Sequence, residues 1–347
     1  MIESLQERIR QAASRRTALR LRGGGSKDFY GNALRGEVLD TRGYAGIVDY
    51  EPTELVVTVK CGTPLRELET ALAANNQVLP FEPPHFGAGA TIGGCVAAGL
   101  SGPRRASAGA LRDFVLGVKL IDGRGQALSF GGQVMKNVAG YDVSRLIAGS
   151  LGTLGLIAEV SLKLAPTPPE EITLQLEAPQ TRALELMNRW AGQPLPVSAT
   201  VWHGDELMVR LSGAEPAVRA AAAAIGGETI DNAFWGGVRE HADGFFAGDE
   251  PLWRLSLPST SPPLELEGRQ LIEWNGGLRW LKSKMPASAV REALRRVKGH
   301  ATLFRAADKS AGCFAPLEPV LERLQRQLKG AFDPAGIFNP GRLLAER

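Results

Sequence analysis

The sequence contains little cysteine and little histidine. Its 347 residues include three cysteines (Cys61, Cys95 and Cys313) and four histidines. An odd number of cysteines without a CxxC pair argues against a disulfide framework and against a zinc or iron–sulfur site. The histidines show neither HxxH nor HExxH spacing, so no histidine-rich metal site is indicated. We therefore expect no metal and a reducing, cytoplasmic setting.

Long apolar runs and an excess of one charge are also missing. No run approaches the roughly 18 apolar residues that a membrane-spanning helix requires. The first residues, MIESLQERIRQAASRR, predict a charged amphipathic helix rather than a secretory signal. The 40 Lys and Arg residues nearly balance 37 Asp and Glu residues, which argues against nucleic acid as a partner. We expect no transmembrane segment, and any contact with the inner membrane to be peripheral, through partners.

Apolar residues and glycine are abundant. An apolar fraction of 44% is sufficient for a sizeable core, and a length of 347 residues suggests two domains. The 41 glycines concentrate before residue 156. Clustered glycine is typical of backbone that approaches a partner closely or adopts positive φ. Pro166, Pro168 and Pro169 then interrupt the chain, and we place a domain boundary there.

Hydrophobic periodicity predicts the order of elements. The predicted helices cover residues 2–14, 65–76, 93–99, 141–148, 180–191, 215–225, 234–246, 287–298 and 316–330. The predicted strands cover residues 18–22, 46–50, 55–60, 114–121, 126–130, 156–164, 172–177, 198–203, 206–212, 252–257, 270–274, 278–282 and 301–305. The pattern predicts an α+β protein: a domain over residues 1–168 and a second domain of antiparallel sheet backed by helices over residues 169–328, followed by a C-terminal segment, 329–347.

A strand that ends in three glycines provides the first candidate site. In Arg22-Gly23-Gly24-Gly25-Ser26-Lys27, successive backbone N–H groups can converge on an anion, because no side chain blocks the approach. Arg22, Ser26 and Lys27 add donors suited to a diphosphate. An ordinary glycine turn between strands is the alternative interpretation of this segment alone.

A second glycine-rich segment, Gly87-Ala88-Gly89-Ala90-Thr91-Ile92-Gly93-Gly94, follows a proline-rich stretch and precedes a helix of small residues. Its third glycine comes one residue too late for a Rossmann fingerprint. Backbone N–H groups of this turn are suited to a second face of a diphosphate at the start of the helix. A loop packed on its neighbours is the alternative.

Two further loops without bulky side chains flank one helix and lead into a strand. They are Lys136-Asn137-Val138-Ala139-Gly140-Tyr141-Asp142 and Gly149-Ser150-Leu151-Gly152-Thr153-Leu154-Gly155. A flat aromatic ligand fits between such backbones. A structural crossover with capped helix ends is the alternative.

The order of these segments resembles the FAD domain of the vanillyl-alcohol-oxidase superfamily. The glycine loop, the Ala90–Gly94 turn and Arg112-Asp113-Phe114-Val115 before an Asp-Gly hairpin follow one another as in that family. The stretch 136–164 is similar to the glycolate oxidase and D-lactate dehydrogenase branch, and so is the segment from Phe332 to Arg342. The resemblance covers residues 17–165 and 330–344 well and the middle of the chain poorly.

The resemblance implies a PCMH-type FAD-binding domain of two α+β subdomains, and an antiparallel-sheet cap over the reactive face of the flavin. It also implies that the C-terminal segment, 329–347, returns to the FAD-binding domain. It implies non-covalent FAD, because GGGSKD lacks the histidine to which relatives often attach a covalent flavin. The residues that it assigns to the cofactor are Arg22, Gly23, Gly24, Gly25, Ser26, Lys27, Gly89, Ala90, Thr91, Ile92, Gly93, Gly94, Arg112, Asp113, Gly152, Gly155, Ile157 and Asn339.

The resemblance also implies oxidation of a small 2-hydroxy acid, glycolate to glyoxylate, by hydride transfer to flavin. Standalone dehydrogenases of this branch carry a Gly-Glu-His-Gly motif for metal binding and proton abstraction, whereas the corresponding region here reads RAADKSAGCFAP. No catalytic base is therefore assigned. The departure favours the smaller FAD subunit of a complex that also holds a larger FAD-binding subunit and an iron–sulfur subunit. A standalone 2-hydroxy-acid dehydrogenase and a non-catalytic FAD-fold scaffold or electron relay are the alternatives.

Three other residues have two interpretations each. A hairpin over residues 274–282 predicts Arg279 and Trp280 near the start of a strand, where the arginine is suited to a substrate carboxylate. We favour an ordinary hairpin with an exposed arginine and a core tryptophan. His85, beside two prolines, either faces the cofactor or is satisfied by its own loop, and we favour the second interpretation.

Overall fold

The computed structural model describes residues 1–132 and 142–344. Its helices are α1 (Ile2–Arg15), α2 (Leu65–Ala73), α3 (Ile92–Ala98), α4 (Arg105–Ala108), α5 (Val143–Ile147), α6 (Gln180–Ala191), α7 (Glu215–Ile225), α8 (Phe234–Glu240), α9 (Ala287–Arg296) and α10 (Pro319–Phe332). None of the helices within these ranges combines the length and the apolar character needed to cross a membrane.

The strands of the described ranges form two two-stranded sheets, a five-stranded sheet and an eight-stranded sheet. They are β1 (Leu19–Arg22), β2 (Glu37–Asp40), β3 (Ile47–Glu51), β4 (Val56–Lys60), β5 (Gln77–Val78), β6 (Val115–Ile121), β7 (Ala127–Gly131), β8 (Leu156–Lys163), β9 (Ala165–Pro166), β10 (Glu170–Glu177), β11 (Val197–His203), β12 (Glu206–Gly213), β13 (Glu228–Ile230), β14 (Leu252–Ser256), β15 (Arg269–Glu273), β16 (Leu278–Lys282) and β17 (His300–Arg305).

The chain forms two compact units, each assembled from separate stretches of sequence. The first comprises Met1–Leu100, Ala110–Thr167 and Pro316–Arg347, and the second comprises Ser101–Gly109 and Pro168–Ala315. The change of unit at Thr167 and Pro168 lies beside the boundary predicted from the prolines. Two segments differ from the predicted division: residues 101–109 belong to the second unit, and residues 316–328 belong to the first.

Hydrogen bonds explain the place of residues 101–109. Trp274 Nε1 donates to the Gly102 carbonyl at 3.0 Å, and Ser107 Oγ donates to the Ser198 carbonyl at 2.8 Å. The partners of this segment, Trp274 and Ser198, therefore both belong to the second unit, although they lie about 90 or more residues later in the sequence. The prolines at 166–169 indicate only the change of unit at residues 167 and 168. Residues 101–109 also belong to the second unit, but no comparable change in composition marks them.

A small parallel sheet opens the first unit. Strands β1 and β2 pair in parallel, and Leu19 forms a parallel bridge with Phe338, so the C-terminal segment extends the sheet. Helix α1 buries Leu5 and Ile9 against this layer, as the helical spacing of these residues predicts. Strand β2 was not predicted, because Leu39 is its only buried residue and the pattern is too short to show alternation.

A five-stranded antiparallel sheet forms the rest of the first unit. Its order is β3-β4-β8-β6-β7. Strand β8 lies at the centre and is buried along most of its length, which is typical of a strand covered on both faces. This sheet and helix α3 position the loops that are described below.

The second unit is an eight-stranded antiparallel sheet packed against helices. The strand order is β13-β10-β12-β11-β15-β16-β14-β17. Helices α6 and α7 bury Met187 and Val218 in one cluster, and α9 buries Leu294 in another. The predicted combination of helices with antiparallel sheet is thus confirmed. The helix predicted over 234–246 ends at Glu240, because His241 adopts a φ of 54° and a 3-10 turn follows at Gly244–Phe246.

A buried ion pair fastens α10 to the first unit. Lys329 Nζ lies 2.5 Å from Asp333 Oδ2 and donates to the carbonyls of Thr153 at 2.7 Å and Phe338 at 2.8 Å. Asp333 also accepts the Phe338 N–H at 2.7 Å. Burial lowers the pKa of Lys329, and the carboxylate opposes that shift. Residues 316–328 therefore belong to the first unit because the C-terminal end of α10, at Lys329, is bonded to that unit.

We predict that Asp333→Ala destabilises the first unit by about 3–5 kcal/mol, because it leaves a buried ammonium without its carboxylate. The control is Glu322→Ala, which removes a partly exposed pair with Arg326 on the same helix and should change stability by about 0–1 kcal/mol. Denaturant unfolding of both variants measures the difference. Equal effects of the two substitutions would contradict the role given to Asp333.

Candidate functional site

The loop after β1 exposes backbone donors. Within the described residues, the N–H groups of Gly23, Gly24 and Gly25 have no acceptor. The loop is shaped instead through its carbonyls: Gly25 O accepts the N–H of Asp28 at 3.0 Å. A run of glycine N–H groups with this exposure is suited to an anion. The structure thus gives this loop the donors that the sequence predicts.

The two glycine segments of the sequence lie in direct contact. A Cβ built on Gly24 would overlap the Gly89 carbonyl, and one built on Gly23 would overlap the Thr91 hydroxyl. A Cβ on Gly93 would lie 2.7 Å from Cβ of Cys61. A Cβ has no room at Gly23 or Gly24, so this approach requires glycine at both positions of the first segment.

Two adjoining clefts follow this contact. Both are lined by β1 and its loop, by α3, and by Leu151 and Asn339. The second cleft continues to Gly152, Gly155 and Ile157. The described residues therefore form one groove, shared by the first and second glycine segments and by the loop after α5.

The second glycine segment lines the groove with small residues, and several of its backbone N–H groups already donate within the chain. The N–H of Ile92 donates to Thr63 O at 3.0 Å, and that of Gly93 donates to Cys61 O at 2.8 Å. The Gly94 N–H donates to Thr91 Oγ1 at 3.4 Å. This corrects the expectation that these N–H groups are available to a diphosphate. Ala90 and Ile92 lie buried beneath the groove, whereas Thr91, Gly93 and Gly94 line it.

Charged side chains surround the glycine loop. Arg22 Nε lies 3.1 Å from Asp28 Oδ2, and Arg20 bonds the same carboxylate. Lys27 Nζ donates to the His85 carbonyl at 3.1 Å. Buried Arg342 donates to the Asp28 carbonyl at 2.9 Å. Cations thus outnumber the carboxylate at this end of the groove, which favours an anionic ligand.

Asn339 joins the groove's walls. Its Oδ1 accepts the Leu21 N–H at 2.9 Å, and its Nδ2 donates to Leu151 O at 2.7 Å. A Cβ on Gly152 would lie 2.7 Å from this Nδ2. Asn339 therefore lines the groove as predicted, while its amide holds β1 beside the loop at 149–155.

Arg112 and Asp113 lie away from the groove. Their side chains are 67% and 47% exposed, and Asp113 Oδ2 accepts the N–H of Ala110 at 2.9 Å. Neither residue lines either cleft. A place beside the cofactor stays a prediction for this pair, without support from the geometry. The segment 136–141 lies outside the described residues.

Arg279 and Trp280 are buried in the second unit. Arg279 donates to the carbonyls of Ser261 at 2.5 Å and Pro262 at 2.7 Å, and burial lowers its pKa to about 10. Trp280 Nε1 donates to Glu273 Oε1 at 2.7 Å. The core tryptophan of the hairpin interpretation is confirmed, but its exposed arginine is wrong, because Arg279 is fully buried against backbone carbonyls. A substrate role for Arg279 stays a prediction, without support from this geometry. His85 does not line either cleft, and its Nε2 lies 2.9 Å from Glu69 Oε2.

Several groove residues were not predicted. Thr41 and Cys61 line the groove although neither lies in a recognisable motif. Ala97 also lines it, and the small-residue composition of its helix was the available signal. Burial raises the pKa of the Cys61 thiol to about 12. Within residues 1–132 and 142–344, no group of three or more His, Cys, Asp or Glu side chains is arranged to hold a metal.

The sequence is similar to known flavoproteins. Residues 1–131 match the model of the family described as "FAD binding domain". The chain is 48% identical over 344 residues to the glycolate oxidase subunit GlcE of Escherichia coli K12, covering 99% of this chain and 97% of that protein. It is 34% identical over 128 residues to the glycolate oxidase subunit GlcD of Bacillus subtilis 168, covering 37% of this chain and 27% of that protein.

The fold is similar to that of an alkyldihydroxyacetonephosphate synthase. The alignment covers 98% of this chain and 76% of that chain, with a TM-score of 0.69 and 14% sequence identity. At that identity the similarity concerns the fold alone. Together with the family match, it agrees with the fold class predicted from the order of the glycine segments.

We predict that Cys61, Cys95 and Cys313 resist alkylation in the folded protein at pH 8. All three are buried, and burial raises the pKa of Cys61 and of Cys95 to about 12, so their thiolates are scarce. Mass spectrometry after iodoacetamide treatment should show less than one modified thiol per native chain and three per denatured chain. Rapid modification of native Cys61 would contradict this placement.

Proposed function

The chain belongs to the family of the glycolate oxidase subunit GlcE, and from that premise we propose that it is an FAD-binding subunit of a complex that oxidises glycolate to glyoxylate. One observation carries the proposal: the Gly23–Gly25 loop meets the second glycine segment and leaves a groove with exposed backbone donors. The match of the family model to residues 1–131 supports the same cofactor.

The residues of the groove fit a dinucleotide. A diphosphate needs several donors at close range, and the N–H groups of Gly23–Gly25 provide them without side chains in the way. Any Cβ on Gly24 would displace the loop. Arg22 and Lys27 supply cations beside the loop, and charge-assisted bonds to phosphate are stronger than neutral ones.

The tasks of this chain would be binding, orientation and electrostatics. FAD, when bound, supplies the redox chemistry, taking up the hydride removed from C2 of the 2-hydroxy acid. Arg22, Ser26 and Lys27 would hold the diphosphate. Asn339 would keep the walls of the groove in register. The proton of the substrate hydroxyl would pass to a base that we do not assign to this chain.

We propose that FAD is bound non-covalently. The lining of the groove in the described residues includes no histidine. Cys61 does line it, but a thiol whose pKa is raised to about 12 is protonated at neutral pH and a poor nucleophile. Both observations disfavour a covalent bond between this chain and the flavin ring.

We propose that turnover requires partners. The segment 305–316 lacks the Gly-Glu-His-Gly sequence that supplies a base in standalone relatives of this branch. Loss of a general base typically costs about 10²–10⁴-fold in rate. A larger FAD-binding subunit and an iron–sulfur subunit would supply the missing chemistry and the onward path for electrons. Peripheral contact with the inner membrane would then be made through those subunits.

Gly24→Ala should weaken FAD binding by about 100-fold, because the added methyl group overlaps the Gly89 carbonyl and moves the loop donors. Flavin fluorescence titration measures the affinity, and acid precipitation of the wild-type holoprotein should release all flavin into the supernatant. Gly236→Ala is the control, since a Cβ there meets nothing within 4 Å. Wild-type affinity in Gly24→Ala would contradict the groove assignment.

The isolated chain should oxidise glycolate at no more than about 1% of the rate of the assembled complex, for lack of a base. The measurement is dye-coupled glycolate oxidation by the purified chain, by the complex and by the complex without this chain. Full turnover by the isolated chain would contradict the dependence on partners and favour a standalone 2-hydroxy-acid dehydrogenase. Failure to bind FAD at all would favour a scaffold.

A further inference from the structure

We propose that Glu69 and His85 are positioning residues that hold Lys27 at the diphosphate loop. The inference rests on the proposed binding of FAD in the groove. It concerns a chain of contacts that runs from helix α2 through the proline-rich loop to the glycine loop, all within the first unit. Neither residue lines the groove itself.

Glu69 lies on a helix that is bonded to the second glycine segment. It lies in α2, and the first residue of that helix, Leu65, donates its N–H to Ala90 O at 2.8 Å. Pro64 also forms a bridge with Thr91. The helix that carries the carboxylate is therefore tied to the segment that lines the groove.

The carboxylate of Glu69 fixes the proline-rich loop through His85. Its Oε2 lies 2.9 Å from His85 Nε2, and the two side chains are only 30% and 12% exposed. The backbone beyond His85 is unusual, because Phe86 has a φ of 52° and Gly87 a φ of 136°. A non-glycine residue in the left-handed region is disfavoured unless contacts maintain it. The Glu69–His85 contact is placed to do so.

The same loop holds Lys27. Lys27 Nζ donates to the His85 carbonyl at 3.1 Å and lies 5.8 Å from the centre of the Phe86 ring. Phe29 packs edge-on against Phe86 at 5.5 Å. A lysine side chain has many rotamers, and confining its ammonium beforehand lowers the cost of using it on a ligand. His85 thus connects the carboxylate on α2 to the ammonium beside the glycine loop.

The pKa of buried Cys95 responds to both charges. The positive charge of Lys27 lowers the pKa of this buried thiol, and the negative charge of Glu69 raises it, against a larger effect of burial. Two opposite effects of Glu69 on FAD are therefore expected. Its charge repels a diphosphate, whereas its 2.9 Å contact with His85 Nε2 holds Lys27 in place. Glu69→Gln separates the two effects, because glutamine keeps a side-chain oxygen at the same reach and removes the charge.

The test is FAD affinity, measured by flavin fluorescence on the full-length chain. Glu69→Ala and His85→Ala should each weaken FAD by about 10-fold, while Glu69→Gln should stay within about twofold of the wild type. Glu67→Ala, an exposed glutamate on the same helix, is the matched control and should bind as the wild type does. Unfolding of the apoproteins monitors stability separately.

A double-mutant cycle decides whether Glu69 acts through Lys27. Lys27→Ala should weaken FAD, and adding Glu69→Ala to it should cause no more than about a twofold further loss. If the losses of FAD affinity from Lys27→Ala and Glu69→Ala add in the double variant, the positioning role is wrong. It is also wrong if Glu69→Ala binds FAD as tightly as the wild type. Either result would leave the proposed binding of FAD in the groove intact. Equal weakening by Glu69→Ala and Glu69→Gln would overturn the positioning role as well. A wild-type chain that binds no FAD would overturn the proposed function and this inference together.

Discussion

The contact between Gly24 and the Gly89 carbonyl is the constraint on which the site depends. Two stretches of backbone more than 60 residues apart in the sequence approach so closely that Gly24 has no room for a Cβ beside the Gly89 carbonyl. The approach places the Gly23–Gly25 loop beside Thr91 and α3 along one groove. Without it, the donors and the walls of the groove would lie apart, and Arg22 and Lys27 would be ordinary surface cations.

Long-range ties maintain that approach. Asn339 joins β1 to Leu151, Arg342 holds the loop at 27–32 from behind, and Lys329 with Asp333 fixes the segment that carries both. These residues come from the last 20 positions of the chain, so the C terminus is part of the cofactor-binding unit rather than an appendage. The Glu69–His85 pair completes the arrangement from the opposite side, through α2.

The sequence predicted much of the fold and the core of the site. The strand-to-glycine transition at residues 22–25 and the second glycine segment were both recognisable because glycine there has a physical purpose. Thr41 and Cys61 were not, since single residues on separate elements become neighbours only in the folded chain. The hydrogen bonds that occupy the N–H groups of Ile92 and Gly93 were equally hidden, because their acceptors, Thr63 and Cys61, lie about 30 residues earlier. Arg112 and Asp113 were assigned by resemblance, and their exposed turn gives that assignment no support.

Hydrogen–deuterium exchange with and without FAD tests the central claim most directly, because it reports on individual backbone N–H groups. The account predicts that FAD slows exchange at Gly23–Gly25, whose N–H groups have no acceptor among the described residues, and leaves Ile92 and Gly93 nearly unchanged, since these already donate within the chain. Protection at residues 92–93 with none at 23–25 would contradict it.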